Sequence, residues 1–214
     1  KVMTSTLGKN LQVYNAKQFI GSVSGTGFAN LYFTIGKSDA WANDAHPDVS
    51  NTSIDAFNNV WKNMIGGKRI TGNDMQHVIP RNNWSANSVY NMYDDKIDNF
   101  EYGNFYIVTD EFKVYKCISN NSGQLSFVKP TSTTTGAVFE TLDNYIWKYM
   151  YTLNKEDQTK FTSTTYIPVR TLTVNDASTQ WLVQSSATPG AINSIIVTNP
   201  GSGYTANTVN VNIR

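Results

Sequence analysis

The stretch "DNYIWKYMYTL", Asp143 to Leu153, decides the fold. Successive side chains of an extended chain point to opposite faces. Tyr145, Trp147, Tyr149 and Tyr151 therefore share one face, and Ile146, Lys148 and Met150 the other. Both faces are substantially apolar, which predicts a central strand covered on each side. An open aromatic ladder of this kind would suit stacking on sugars or bases. Exposed stripes of that size are rare on monomers, so the spacing favours a core or a subunit interface.

Upstream, "NFYIVT" (104–109), a tight turn at Asp110-Glu111 and "FKVYKCI" (112–118) alternate as a β-hairpin. "TSTTTG" (131–136) is a polar loop. Further towards the amino terminus, Ala16, Phe19, Ile20 and Val23 recur at helical spacing until "GSVSGTG" interrupts them. Leu31, Phe33 and Ile35 then share the face of an expected buried strand. In "TSIDAFNNVWKNMIGG" (52–67), Ile54, Phe57, Val60, Trp61, Met64 and Ile65 follow the N-cap candidates Thr52 and Ser53. Gly66-Gly67 is the expected stop. The apolar stripe of this helix must pack on something larger than itself. The tail "INSIIVTNPGSGYTANTVNVNIR" reads as two strands around Asn199-Pro200-Gly201, with Val209, Val211 and Ile213 on one face. The pattern predicts a mainly β, α+β fold. Residues 1–170 are expected to form a layered β-sandwich with long loops and two or three short helices, and 171–214 to begin a small β module. The chain reads as a fragment of a longer one.

Seventeen basic against sixteen acidic residues leave a formal charge of +1, unlike a protein built to hold the phosphate backbone. Nucleic acid is not an expected partner. No apolar run approaches the roughly 20 residues needed to span a bilayer, so no membrane partner is expected. The single cysteine, Cys117, excludes an internal disulfide framework. The charged fraction of 15%, with 12 Tyr and 5 Trp, favours strands and turns over helices.

Motifs that resemble catalytic ones fail on context. "LYFTIGKSDAW" (31–41) carries the Gly36-Lys37-Ser38 end of a phosphate-binding loop, but Leu31 stands where the first glycine belongs and no helix follows. Ala40 replaces the last glycine of a nucleophile elbow. Gly25-Thr26-Gly27 precedes a strand instead of following one. Asp44, His46 and Asp48 alternate and would offer oxygen and nitrogen to a divalent metal, yet the same composition makes ordinary turns. His77 lies among apolar neighbours, and the adjacent Asp94 and Asp95 would point apart on an extended chain. No catalytic residue, cofactor or metal site is expected.

Several stretches taken in order resemble a known family. "LYFTIGKSDAW", "VWKNMIGGKRI", "MQHVIPRNNW", the "VYKCI" strand and "DNYIWKYMYTL" together resemble the baseplate wedge subunit of T-even-type contractile-tailed bacteriophages, the product of gene eight. The resemblance covers about Ala16 to Leu153. Past Ile167 it ends, and Gly190 to Tyr204 instead looks like a small β unit common in phage virion proteins. The resemblance implies a non-enzymatic structural protein of the tail baseplate, mostly β with long loops. It further implies a homodimer that touches the other wedge proteins within the virion. The expected contact residues are Lys37, Asp39, Trp41 and His46, on the loop through Asn51, and Arg81 and Trp84, on the segment through Asn99. The alternative is a carbohydrate-binding tail or fibre-associated module that uses exposed Tyr and Trp. Solvent exposure of Trp147 and Tyr149 separates the two.

Overall fold

The computed structural model describes residues 9–24, 30–36, 40–47, 49, 51–94, 103–188, 190, 192 and 201–203. Two compact units divide the chain, Lys1–Val78 with Pro168–Arg170 and Ile79–Ile167 with Thr171–Arg214; the sequence reading placed its boundary at residue 170. The expected C-terminal strand pair lies outside the described residues.

The first unit runs through α1 (Lys9–Ser24), β1 (Leu31–Gly36), α2 (Ile54–Lys62) and β2 (Met64–Ile70) to a 3-10 turn at Gly72–Asp74. From β3 (His77–Pro80), where the two units meet in sequence, the chain continues through β4 (Tyr106–Val108), β5 (Lys113–Asn120), β6 (Phe139–Glu140) and β7 (Tyr145–Thr152). It ends with α3 (Lys155–Lys160), β8 (Tyr166–Val169) and α4 (Thr179–Ser185). The fold is α+β and mainly β, with the eight strands among the described residues in sheets β1-β2, β3-β8 and β4-β5-β7-β6. Four α-helices lie among the described residues; α3 and α4, six and seven residues long, carry too few turns to show a period.

The second unit holds the core. Tyr145, Trp147, Tyr149 and Tyr151 are buried along one face of β7, and Ile146, Lys148 and Met150 are half-buried on the other, so the central strand is covered as expected. In β5, Cys117 lies opposite Trp147 and Tyr115 opposite Tyr149. Two register shifts interrupt the ladder, leaving Ile118 and Met150 unpaired. Trp147 stacks on Tyr145 with centroids 5.5 Å apart, while Tyr90 meets Trp147 edge-on at 5.6 Å. Val183 of α4 closes the cluster, with Trp84, Tyr93, Tyr106 and Phe139 packed around it.

The two hairpins of this sheet use the same turn. Phe112 N donates to Thr109 O and Thr109 N to Lys113 O; Asn144 N donates to Thr141 O and Thr141 N to Tyr145 O. Each is a three-residue connection whose last residue is left-handed, Phe112 at φ 59° and Asn144 at φ 59°. Asparagine tolerates that region, whereas an aromatic there is strained. The expected turn at Asp110-Glu111 is thus one residue longer. The Phe112 carbonyl accepts from Leu153 N at 2.9 Å, and Lys129 Nζ holds both Asp110 and Glu111 at 2.9 Å, which fixes the tip.

Tyr115 is fully buried, yet its hydroxyl has no hydrogen-bond partner among the described residues, and burial pushes its pKa well up. An unsatisfied buried hydroxyl costs about 1–3 kcal/mol. Tyr115→Phe is therefore expected to leave folding stability unchanged or raise it, by up to about 1 kcal/mol. Urea denaturation measures this, and a loss of stability on that scale would contradict the assignment.

In the first unit the helix over 54–65 is corrected. α2 stops at Lys62, where Asn63 takes a non-helical conformation and bonds Asn59 O through both its amide N–H and its side chain. Met64 and Ile65 then enter β2, and Gly66-Gly67 lie within that strand opposite Ile35 and Thr34. Gly36 is needed at the end of the ribbon, since a Cβ there would lie 2.9 Å from Asn63 O. The expectation that β1 is buried also fails. Phe33 and Ile35 are exposed, because a two-stranded ribbon supplies no second layer to cover them.

Candidate functional site

Ser53 caps α2, its Oγ accepting from Ala56 N at 3.1 Å. Asn51 Oδ1 in turn accepts from Ser53 N at 3.0 Å and Ser53 Oγ at 2.7 Å. Such a cap satisfies amides that a helix cannot pair internally. A short helix with a well-built start thereby presents a fixed side-chain pattern. Ile54, Phe57, Val60 and Trp61 are 79%, 62%, 51% and 60% exposed. The amphipathic stripe expected to be core is uncovered by the chain's described residues. Phe57 and Trp61 touch edge-to-face with centroids 6.0 Å apart, so the two rings form one surface.

The rest of this unit is similar. Tyr32, Phe33 and Ile35 of β1, Ile65 of β2, and Leu11, Val13, Tyr14 and Phe19 of α1 are all exposed. After β2, the Asp74 carboxylate binds Lys68 Nζ and accepts from Thr71 N and Thr71 Oγ1. The bond to Lys68, followed by those to Thr71, holds its pKa far below the usual carboxylate range. Polar closure of the turn thus coexists with bare apolar faces.

Of the expected contact residues, Lys37 and Asp39 lie outside the described residues. Trp41 and His46 are exposed on one loop, where Trp41 N donates to Asp44 Oδ1 and His46 N to Asn43 O. Asp44 is therefore occupied in a local turn, and Asp48, the third member of the metal candidate, lies outside the described residues. Arg81 and Trp84 belong to the second unit and are engaged within it. Arg81 Nη1 donates to Ser163 O and Nε to Asn83 Oδ1, both at 2.8 Å. Trp84 N donates to Val108 O at 2.9 Å, and its ring packs against the core. The Tyr90 hydroxyl closes this segment by accepting from Ser85 N and donating to Ser85 O.

Trp147 and Tyr149 are 0% and 1% exposed. Their faces are covered by other rings and cannot stack on a sugar. Burial pushes the Cys117 thiol up to about 12, so at neutral pH it is not a thiolate nucleophile. The chemistry on offer is adhesion by apolar and aromatic surface, concentrated on α2 and the β1-β2 ribbon. Sequence reasoning found those residues but assigned them to the interior. No protein-family model matches the chain, and no curated protein was found to be similar to it.

Proposed function

We propose that this chain is a structural component of a contractile-tailed phage baseplate wedge, acting by protein–protein contacts in tail assembly and without catalysis. The observation that supports the reading is the first unit, whose α1, α2 and β1-β2 ribbon expose large apolar side chains on every element. Patches beyond a few hundred Å² on a soluble chain mark interaction surfaces. A component of a permanent assembly covers such elements with its neighbours. The ordered motifs that resemble the gene eight product family support the same reading, with the virion as the location and the other wedge proteins and a second copy of the chain as the partners.

The test is location. In purified, salt-washed virions of the phage that encodes it, the chain is expected in stoichiometric amount, with immunogold label at the baseplate end of the tail. Its absence from intact virions, or label confined to the head, would reject the proposal.

A further inference from the structure

Among the described residues of the first unit, Pro168 alone is buried. The hydrophobic side chains of the buried core, from Tyr90 to Val183, all belong to the second. We propose that in the isolated chain the first unit opens on its own, far more readily than the second, and is held closed only once the assembly covers it. The opening stands on the structure of the first unit alone; its reversal by a covering neighbour deepens the assembly reading above and rests on it.

Ordering a chain costs backbone entropy that burial of apolar surface must offset, and each element of this unit lacks that compensation. α2 has nine residues, fewer than the roughly 12–15 at which a helix is even marginal by itself, and its four large apolar side chains are exposed. The cap from Ser53 shapes its start but buries no apolar area. Among the described residues β1 and β2 pair only with each other, and a lone two-stranded ribbon is marginal in water. Gly66 and Gly67 add backbone freedom within β2. α1 is longer, but it has no acidic residue in its first turn and no basic residue in its last, so no charge complements its dipole. The side-chain hydrogen bonds at Ser24, Asn51, Asn63 and Thr71 are solvent-exposed. Lys68 is exposed in its pair with Asp74, and ion pairs of that kind add little. Few buried apolar contacts and exposed hydrogen bonds are the marks of a segment that opens locally.

Amide hydrogen exchange of the full chain, followed by mass spectrometry and corrected for intrinsic rates, tests this. Peptides covering 54–70 are expected to exchange at least about 100-fold faster than those covering 145–152, a modest share of the roughly 10³–10⁸ that separates closed from globally unfolded chains. Trp147→Phe, whose cost corresponds to about 5–25-fold, should speed exchange at 145–152 by that factor and leave 54–70 unchanged. Equal protection of the two stretches overturns the inference, and so does parallel acceleration of both by the variant. In purified virions, tryptic cleavage after Lys62, Lys68 and Arg69 should be at least about 100-fold slower than in the isolated chain; equal cleavage overturns the coupling to cover. Absence of the chain from virions rejects the baseplate reading and the covering neighbour with it, but leaves the exchange contrast in the isolated chain standing, so the two failures are distinguishable.

Discussion

Trp147→Ala is expected to cost about 3–5 kcal/mol of folding stability, the range for deleting a fully buried large aromatic. The ring sits between Tyr145 and Tyr90 and lies opposite Cys117 and Phe139 on the adjoining strands. Removing it empties the middle of the cluster, and neighbours held in two strands cannot collapse inward. Each ring contact adds about 0.5–1.5 kcal/mol beyond area. The indole N–H is buried without a partner among the described residues, so Trp147→Phe forfeits no hydrogen bond and should cost about 1–2 kcal/mol, a volume effect alone. Equilibrium urea unfolding distinguishes the two variants. Equal losses for Ala and Phe would mean that the indole N–H is satisfied and important. A small loss for Ala would remove Trp147 from the centre of the core.

The physics behind that result also explains what the sequence could reveal. β7 alternates strictly from Tyr145 to Tyr151, and a period of two is legible when one face is aromatic; β4 and β5 bury consecutive residues. β2 was hidden because Met64 and Ile65 extend the 3.6-residue period of α2 by chance, and the glycines that look like a stop are strand residues. The helix ends where Asn63 leaves the helical backbone angles while still donating to Asn59 O, a local choice that no periodicity records. β6, with two residues, is too short to show a period, and β8, with four, is set by pairing with β3, far along the chain. The caps of α3 and α4 were readable: Asn154 accepts from Asp157 N and Ser178 from Trp181 N, but six or seven residues give no stripe to follow.

Legibility of the site follows the same line. Trp41 and His46 sit on an exposed loop, where Asp, Asn and Pro placed them. Arg81 and Trp84 look like polar-loop residues in sequence but act as ties, because their partners Ser163 and Val108 are distant in the chain. The stripe of α2 shows why amphipathy alone cannot separate core from interface. Both require one apolar face, and only the presence of a covering layer distinguishes them.

Asp143→Ala is expected to cost about 3 kcal/mol or more, because it strips the acceptor from several buried donors at about 1–3 kcal/mol each. Asp143 is 3% exposed. Its Oδ2 accepts from Ser126 Oγ at 2.9 Å, Phe127 N at 2.9 Å and Val128 N at 3.0 Å, and its Oδ1 accepts from Thr141 Oγ1. One carboxylate thus fastens residues 126–128 to the β6-β7 turn. Burial pushes its pKa up, but the bonds from Thr141, Val128, Phe127 and Ser126 outweigh burial and hold it below the ordinary 3.8. A carboxyl whose folded pKa is depressed contributes stability that is fully present above its unfolded value and is lost as pH falls through the folded one. Wild type should therefore lose stability below about pH 4. Asp143→Asn keeps the shape and an acceptor but not the charge. It should be less stable than wild type at pH 7, with the gap narrowing as pH drops below that value. Paired melting curves at neutral and acid pH check this. A gap that stays constant across that window would show that Asp143 holds the turn by shape alone, and its ionisation would carry no part of the fold.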